Sequence, residues 1–569
     1  MVASMYEDVR QFHAFLLWHT ETGCFDRQEV VSMLPVLWLQ LEPQNFVLDM
    51  CASPGSKTSQ IVDFLSTKHE SEELDGMVVA NDIDRKRGYM LVRRLLRNSL
   101  GNAVVSCCSG DQFPGLYDST GTLRSTNTFD RVLCDVPCSG DGTLRKKLRL
   151  WMDWHIGQGL TLHSTQIALA MRGAALLKVG GIMVYSTCSF NPVENEAVVS
   201  EVLRRSDGAL ELVDLSDDPI LHKLRYRRGR RSWKVGWRSK SKSCHKGKIF
   251  NSAVGNESSS LFHQWFSSYN EVPEDLRGNR IVESMFPARF LPHDPSKTLR
   301  MVPIDNDSGG FFIAVLRKVH DLPTWDPQHL QAGLRPYEVT EALPPDGYIC
   351  KLCSIAGHYL KNCPNISMEA GFTENKSPES RITEKSCSKE SQYRRISTSI
   401  WDELCAFYGI DATNHELKEA LWSRSDGASS INYVCSKMAV ACLGGDKLNV
   451  VNMGLKVFTR TKTKDKRYYR PTEEGLSRMV PFMKNRIFDV SKVEFMHILN
   501  AKKCVRAEKL SDSAQTLQSF HNGPVIVRLQ AMEAGQNSFV FNVHILDQAI
   551  LPRISTTFQS ELQMLLSID

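Results

Sequence analysis

Two cysteines lie where strand patterns end, and both are candidates for nucleophilic chemistry. Cys138 follows Asp135 in the turn Asp-Val-Pro-Cys-Ser-Gly-Asp-Gly, and Cys188 lies in the turn Ser-Thr-Cys-Ser-Phe-Asn-Pro. A lone thiol is more often a small buried apolar group, but both of these lie in polar turns. A thiolate that adds to carbon 6 of a pyrimidine makes carbon 5 able to attack a sulfonium methyl group. The Asp135 carboxyl can hydrogen-bond the polar edge of such a ring.

A ligand-binding loop is predicted upstream of these cysteines. The strand Asn45–Met50 runs into a tight turn before an amphipathic helix, and open α/β sheets bind ligands at such points. The turn consists of Cys51, Ala52, Ser53, Pro54, Gly55, Ser56 and Lys57. It lacks both the GxGxxG and the P-loop pattern, so phosphate binding is not implied. Asp82 follows the second strand, where it suits ribose hydroxyls, and Asp111 follows the third, near an adenine position. Each acid taken alone is equally well a helix N-cap.

The elements that must position these groups alternate short β-rich runs with helical patterns, which is typical of a parallel α/β sheet. The predicted strands are Asn45–Met50, Met77–Asn81, Ala103–Cys107, Arg131–Asp135, Gly181–Ser186 and Gly310–Leu316. Ahead of them, Asp8–Leu41 has apolar residues at helical spacing, with a break at Asp26 and Arg27. Because neighbouring strands end at one edge of such a sheet, Cys138 and Cys188 are expected beside the ligand loop.

The segments CASPGSKT, NDID, DVPCSGDGT and YSTCSFNPVENE together resemble the Sun-domain family of RNA cytosine-5 methyltransferases. The similarity extends to about residue 319, and Asn449–Arg460 resembles the eukaryotic nuclear tRNA-modifying branch. This resemblance implies a Rossmann-like methyltransferase fold with a mixed seven-stranded sheet and a C-terminal PUA-like α+β domain. It also implies S-adenosyl-L-methionine as cofactor, tRNA as substrate, and a location in the nucleus, including the nucleolus.

The same resemblance implies a role for each motif residue. The cofactor would lie against Cys51–Lys57, Asp82, Asp111 and Asp135. Cys188 would be the attacking thiol, Cys138 would assist release of the methylated product, and Lys57 and Asp135 would complete the catalytic group. DNA cytosine methyltransferases attack instead from a Pro-Cys turn, which would reverse the roles of the two cysteines.

A compact Cys/His element with metal-ligand spacing follows the α/β region. The pattern C-x2-C-x4-H-x4-C is formed by Cys350, Cys353, His358 and Cys363. This spacing closes a tetrahedral zinc site around a segment too short to have its own core. The alternative, an unliganded polar loop, leaves the segment with nothing to fold around. The element resembles the zinc knuckles of RNA-binding proteins.

A basic tract interrupts the α/β region as a predicted surface loop. Between Lys223 and Lys248 there are twelve Lys or Arg residues and no acid, while the net charge of the whole chain is only +5. Tyr226, Trp233 and Trp237 are interleaved with these cations, a combination that suits RNA backbone charge plus base stacking. A solvated loop or a nuclear-import signal fits the same charge run equally well.

Length and composition indicate two to four globular domains, since the chain has 569 residues of which 42% are hydrophobic. Sixteen scattered cysteines do not form the framework of a secreted disulfide protein. No apolar run approaches the ~20 residues of a membrane helix, and no signal-peptide pattern begins the chain, so we expect an intracellular protein without a membrane partner. The predicted divisions are a helical lead-in (1–44), a methyltransferase domain (45–320) with the basic insert (223–248), a linker (321–345), a zinc knuckle (346–366), a disordered linker (367–398) and a PUA-like RNA-binding domain (399–569).

Two other functions fit part of the same pattern. One is a catalytically inactive RNA-binding assembly factor on a methyltransferase scaffold, although the intact Lys57, Asp135, Cys138 and Cys188 argue against lost chemistry. The other is a cytosine-5 methyltransferase acting on ribosomal RNA, which the motif residues do not exclude.

Overall fold

The computed structural model describes most of the α/β region and most of the C-terminal region. The described residues are 2–22, 26–66, 76–97, 101–238, 263–287, 294–323, 393–424, 429–443, 447–462, 467–501, 504–506, 508, 510, 519–529, 539–546 and 549–568. The predicted zinc knuckle, the predicted linkers over 324–345 and 367–392, and the end of the basic tract lie outside them.

Fourteen helices are found in the described residues, eight of them before the predicted linker. These eight are Val2–Thr22, Val30–Leu37, Ser56–Ser66, Arg85–Arg97, Leu150–Asp153, Gly157–Leu176, Glu196–Arg205 and Pro303–Asn306. The other six are Thr398–Tyr408, His415–Ala420, Ser436–Leu443, Leu476–Met479, Lys492–Leu499 and Thr556–Ile568.

The strands divide in the same way between the two regions. The first thirteen are β1 (Phe46–Asp49), β2 (Met77–Asn81), β3 (Ala103–Ser106), β4 (Leu116–Tyr117), β5 (Leu123–Arg124), β6 (Phe129–Asp135), β7 (Leu177–Thr187), β8 (Leu210–Leu212), β9 (Arg227–Arg228), β10 (Val235–Arg238), β11 (His263–Phe266), β12 (Leu299–Met301) and β13 (Phe311–Lys318). The remainder are β14 (Arg394–Arg395), β15 (Leu421–Ser423), β16 (Ser430–Tyr433), β17 (Val450–Met453), β18 (Leu455–Lys462), β19 (Arg467–Pro471), β20 (Ile487–Val490), β21 (Val505–Arg506), β22 (Gly523–Leu529), β23 (Val540–Leu546) and β24 (Ala549–Pro552).

The main sheet has ten strands in the order β17-β3-β2-β1-β6-β7-β13-β12-β9, with β8 also paired to β13. Strands β3, β2, β1, β6 and β7 run parallel, and β13 is antiparallel to β7. The mixed α/β fold predicted from the sequence is confirmed. The sheet has more strands than the predicted seven because short strands extend it on both sides.

Alternating side chains of the parallel strands build a core on each face of this sheet. Leu48 and Val79 are buried in one apolar cluster, whereas their chain neighbours Val47 and Val78 are buried in the other. Successive side chains of a strand point to opposite faces, so a strand covered on both faces must be apolar throughout. This explains the nearly continuous apolar runs of β1 and β2.

The lead-in forms two helices with a break between them, as the sequence pattern predicts. Val2–Thr22 ends before the break, and Val30–Leu37 begins after it. Asp26, within the break, forms an ion pair with Arg94 at 3.1 Å. The second helix buries residues such as Leu34 against the sheet.

The C-terminal region contains two further five-stranded sheets, ordered β14-β15-β16-β18-β19 and β20-β22-β23-β24-β21. The largely apolar segment 448–458 is divided at Gly454, which has a φ of +65°. Before the glycine, β17 pairs with β3 of the main sheet, and after it β18 pairs with β16. The C-terminal region therefore supplies an edge strand to the α/β domain. Its first strand, β14, begins inside the segment predicted as a linker up to residue 398.

The described part of the basic tract is folded, which corrects the prediction of a surface loop. β9 pairs with β12 at the edge of the main sheet, and β10 forms a hairpin with β11. Trp233 is only 8% exposed, and its indole donates a hydrogen bond to the Met285 carbonyl oxygen at 2.8 Å. Its ring packs inside a buried apolar cluster, so Trp233 cannot stack on an RNA base.

None of the described helices is both long and apolar enough to cross a bilayer.

Candidate active site

The two cysteine turns meet at the carboxyl ends of adjacent strands. β6 and β7 are parallel neighbours in which Asp135 is the register partner of Ser186. Just beyond these residues, the Sγ atoms of Cys138 and Cys188 lie 3.3 Å apart. Both cysteines are free thiols. The sequence prediction that the two thiols share one edge of the sheet is therefore confirmed.

Backbone contacts hold the two turns against the start of β13. The Gly142 amide donates to the Cys188 carbonyl oxygen at 2.9 Å, and the Gly310 amide donates to the Gly142 carbonyl oxygen at 2.8 Å. A Cβ atom on Gly142 would lie 2.6 Å from both the Cys188 and the Gly310 carbonyl oxygens. Only glycine allows this close approach of three chain segments.

The two thiols differ in electrostatic character. A hydrogen bond from the Cys138 thiol lowers the pKa of Cys188, and nearby Lys57 and Lys147 act in the same direction against the effect of burial. The same hydrogen bond, followed by burial, raises the pKa of Cys138 well above its usual value. A thiolate is the reactive form of cysteine, and a lowered pKa favours that form at Cys188.

A buried carboxylate ties the two cysteine turns together. Glu194 accepts hydrogen bonds from the Ser139 amide at 2.8 Å and the Ser139 hydroxyl at 2.5 Å. It also accepts from the Ser189 hydroxyl at 2.7 Å and the Gln166 amide at 3.2 Å. Ser139 and Ser189 directly follow the two cysteines, so the position of Glu194 sets the separation of the thiols.

Asp135 is held in place from two sides. Its Oδ2 atom accepts from Lys57 Nζ at 2.7 Å, and its Oδ1 atom accepts from the Ser186 hydroxyl at 2.7 Å. Lys57 Nζ also lies 5.1 Å from the centre of the Phe311 ring. The first turn of the helix Ser56–Ser66, the end of β6 and the end of β7 thereby meet at one carboxylate, and the start of β13 packs against the lysine.

A cavity of about 620 Å³ opens beside these groups. Its volume falls in the range of ~300–1,000 Å³ that is usual for small-molecule sites. Among the residues predicted from the sequence, those that line it are Cys51, Ala52, Ser53, Pro54, Ser56, Lys57, Asp135 and Cys188. Gly55 does not line it; its φ of +100° instead allows the tight turn.

The two predicted acids at the ends of β2 and β3 do not line this cavity. Asp82 is buried beneath the loop, where it accepts from the Ser53 amide at 3.3 Å and pairs with Arg87 at 3.3 Å. Asp111 lies in a short 3-10 turn and accepts a hydrogen bond from the Ser109 hydroxyl. Asp82 therefore holds the loop in place through the Ser53 amide.

Three acidic residues of the site were not assigned a role from the sequence. Asp49 lines the cavity and accepts from the Thr58 hydroxyl at 2.8 Å; burial raises its pKa to about 7. Glu29 of the lead-in accepts from the Gly309 amide at 3.0 Å and pairs with Lys146 across the cavity. The third is Glu194. The position of Asp49 at a strand end could have indicated its role, but nothing local in the sequence marks Glu29.

Three family models match the chain at these positions. The model described as 16S rRNA methyltransferase RsmB/F matches residues 36–228, the NSUN2 Pre-PUA domain matches residues 392–484, and the Zinc knuckle matches residues 345–365. The first match contains the loop and both cysteine turns. The third contains the predicted zinc ligands, which lie outside the described residues.

One relative decides the family. The Schizosaccharomyces pombe protein named Multisite-specific tRNA:(cytosine-C(5))-methyltransferase trm4b is 30% identical over 92% of this chain and 76% of its own length. The chain belongs to the tRNA:(cytosine-C5)-methyltransferase family. The Saccharomyces cerevisiae Multisite-specific tRNA:(cytosine-C(5))-methyltransferase is 31% identical over 87% of this chain and 65% of its own. The Drosophila melanogaster tRNA (cytosine(34)-C(5))-methyltransferase is 40% identical over 56% of this chain and 40% of its own.

The family membership confirms the resemblance drawn from the four motifs. The chain spans 40% of the length of the fly methyltransferase and 65% of the budding-yeast one.

Proposed function

We propose that this protein methylates carbon 5 of cytosine in RNA, with tRNA as its substrate and S-adenosyl-L-methionine as its methyl donor. The observation that carries the proposal is the pair of thiols 3.3 Å apart at a cavity that Cys188 itself lines. The names of the relatives and the Pre-PUA match support tRNA as the substrate.

The residues of the cavity suit the cofactor. Asp49 and the loop backbone offer acceptors, and the loop and the lead-in supply apolar surface from Ala52, Pro54 and Val31. A carboxylate beside a cationic sulfonium or amino group is favourable, and a bound cation would offset the burial that raises the pKa of Asp49 to about 7. When bound, S-adenosyl-L-methionine supplies the methyl group that carbon 5 accepts.

The cysteines divide the reaction between them. Cys188 Sγ forms a bond to carbon 6 of cytosine, and the electron pair of the 5,6 double bond moves to carbon 5, which becomes nucleophilic. Asp135, fixed by Lys57 and Ser186, hydrogen-bonds the polar edge of the ring and favours that addition. After methylation, the carbon 5 proton passes to water, the electron pair of that C–H bond re-forms the 5,6 double bond, and the bond from carbon 6 to Sγ breaks to return the Cys188 thiolate. Cys138, in contact with Cys188, assists this release.

The remaining parts extend RNA contact beyond the catalytic centre. Cys350, Cys353, His358 and Cys363 bind one zinc ion in the knuckle, a proposal that rests on their spacing and on the family match at residues 345–365. The basic tract supplies phosphate contacts. Its charge and the resemblance to the nuclear tRNA-modifying branch support a location in the nucleus.

The substrate is tested by methylating a tRNA transcript and a ribosomal RNA fragment side by side. We expect methyl transfer to cytosine in the tRNA and little in the fragment. The reverse preference would make the protein a ribosomal RNA methyltransferase. RNA binding without methylation of either RNA would make it an inactive assembly factor.

The roles of the thiols are tested by two serine variants. Cys188→Ser should form neither product nor covalent adduct, because a hydroxyl is far less ionised than a thiol. Cys138→Ser should still attack and methylate, and should leave the RNA tethered in an adduct that survives denaturing electrophoresis. An adduct in Cys188→Ser and none in Cys138→Ser would reverse the assignment. Measuring cofactor affinity in both variants excludes general structural damage.

A further inference from the structure

An exposed apolar segment adjoins the cysteines. Leu148, Trp151 and Met152 expose 76%, 68% and 86% of their surface. Large apolar side chains exposed this strongly within five residues form a local patch that folding alone does not explain. We call residues 144–153 the rim segment.

The rim segment is held by its own hydrogen bonds. The Lys147 amide donates to the Thr143 carbonyl oxygen at 3.0 Å, and the Leu150 amide donates to Lys147 at 2.9 Å. The Trp151 indole N–H donates to the Leu144 carbonyl oxygen at 3.1 Å. The indole is therefore anchored at its polar edge while most of its surface faces solvent.

The segment forms part of the wall of the catalytic cavity. Lys146 and Lys147 line the cavity together with Cys188. The Cβ position of Gly140 lies 3.9 Å from both Cys188 Sγ and Leu150 Cδ1, so the helix Leu150–Asp153 begins beside the nucleophile. A base seated against Cys188 must therefore have its flanking nucleotides close to the rim segment.

The charges of the rim segment are mostly positive, and its one acid, Asp153, pairs with Arg149 at 2.9 Å. Arg145 pairs with Asp307 at 2.7 Å, and Lys146 pairs with Glu29, which fixes the segment over the cavity. Lys147 is exposed and forms no ion pair with the described residues. A cation beside an exposed aromatic ring suits single-stranded nucleic acid, whose phosphates and base faces need both kinds of contact.

We propose that the rim segment binds the nucleotides flanking the target cytosine, with the Trp151 indole stacking on a neighbouring base and Lys147 contacting a backbone phosphate. The proposal rests on the proposed function and deepens it. A target base can reach the thiol only after it leaves its stack. The neighbouring base then loses a stacking partner, which the Trp151 ring replaces.

The test compares Trp151→Ala and Trp151→Phe in the full chain with a tRNA transcript. We expect Trp151→Ala to weaken RNA binding about 10-fold, as loss of one base–aromatic stack does, and to leave the affinity for S-adenosyl-L-methionine unchanged. Trp151→Phe should keep most of the affinity because it keeps an aromatic face. Lys147→Ala should reduce the slope of log Kd against log salt by about 0.7, whereas Trp151→Ala should leave that slope unchanged.

Val179→Ala is the control, because this exposed valine lies near the amino-terminal end of β7, far along the strand from the cysteine turns. The partner base is tested with a transcript that is abasic next to the methylated cytosine. On that transcript Trp151→Ala and wild type should bind alike. RNA affinity of Trp151→Ala within twofold of wild type, with an unchanged KM, would overturn the proposal. Normal RNA binding without methylation by the wild type would contradict the proposed function instead, and would leave the stacking measurement valid.

Discussion

Glu194→Ala should separate the two cysteine turns and remove catalysis although the residue does not line the catalytic cavity. Its carboxylate accepts from Ser139 through both the amide and the hydroxyl, from the Ser189 hydroxyl and from the Gln166 side chain. Glu194 itself is fully buried. Removing it leaves several donors without an acceptor in a region that water does not reach.

The loss of stability in Glu194→Ala depends on which of these donors have another acceptor. The Ser139 and Ser189 hydroxyls lie 3.3 Å apart and can bond each other, and Gln166 keeps its bond to the Pro137 carbonyl oxygen at 2.9 Å. The Ser139 amide has no such replacement. An unsatisfied buried donor costs about 1–3 kcal/mol, and the lost side-chain volume adds a cavity cost. Together these predict about 3–5 kcal/mol, or a melting temperature lower by roughly 10 °C.

Thermal unfolding and adduct formation with RNA measure this prediction. Glu194→Gln should lie between wild type and Glu194→Ala, because an amide oxygen still accepts from one turn. Glu201→Ala is the control: Glu201 is also buried, but its partners Arg204 and Arg205 keep 64% and 20% of their side chains exposed and can be solvated, so we expect a smaller loss of stability than for Glu194→Ala. A Glu194→Ala protein that melts within 2 °C of wild type and forms adduct normally would refute the reasoning.

Three further outcomes are expected. Because the pKa of Asp49 is raised to about 7, the folded state favours its protonated form. Stability should therefore fall relative to Asp49→Asn as the pH rises from about 4 to 7, by roughly 4 kcal/mol at most, and a constant difference in denaturant titrations would contradict this. Gly454→Ala places a Cβ 2.2 Å from the Tyr433 carbonyl oxygen and should lower cofactor affinity by displacing β17 from β3. Gly121→Ala, with open space around it, should leave cofactor affinity unchanged. Equal affinities of the two variants would show that β17 does not support the site. The full chain should bind one zinc ion and Cys353→Ser less than about half an equivalent, as measured by elemental analysis; equal zinc contents would exclude the knuckle as the site.

Local sequence was sufficient wherever one element carried the signal. The strand ends before Cys51, Cys138 and Cys188 were readable because strand patterns and polar turns are properties of a few consecutive residues. Parallel strands end at a common edge, so the sequence alone predicts that the loop and both thiols lie close together. The helix break near Asp26 and the zinc-ligand spacing are likewise local.

Contacts between distant segments were decided only by the tertiary structure. The order of the two thiol pKa values depends on a contact between Cys138 and Cys188, fifty residues apart, and on the buried Glu194 that sets it. Trp233 is an aromatic residue among cations, which suggested base stacking, but it is buried. Burial depends on which surfaces meet in the fold and not on the neighbours in the chain. Gly454 divides one apolar run between two sheets, since the edge of β3 is exposed in the α/β domain and a strand edge needs a hydrogen-bonding partner.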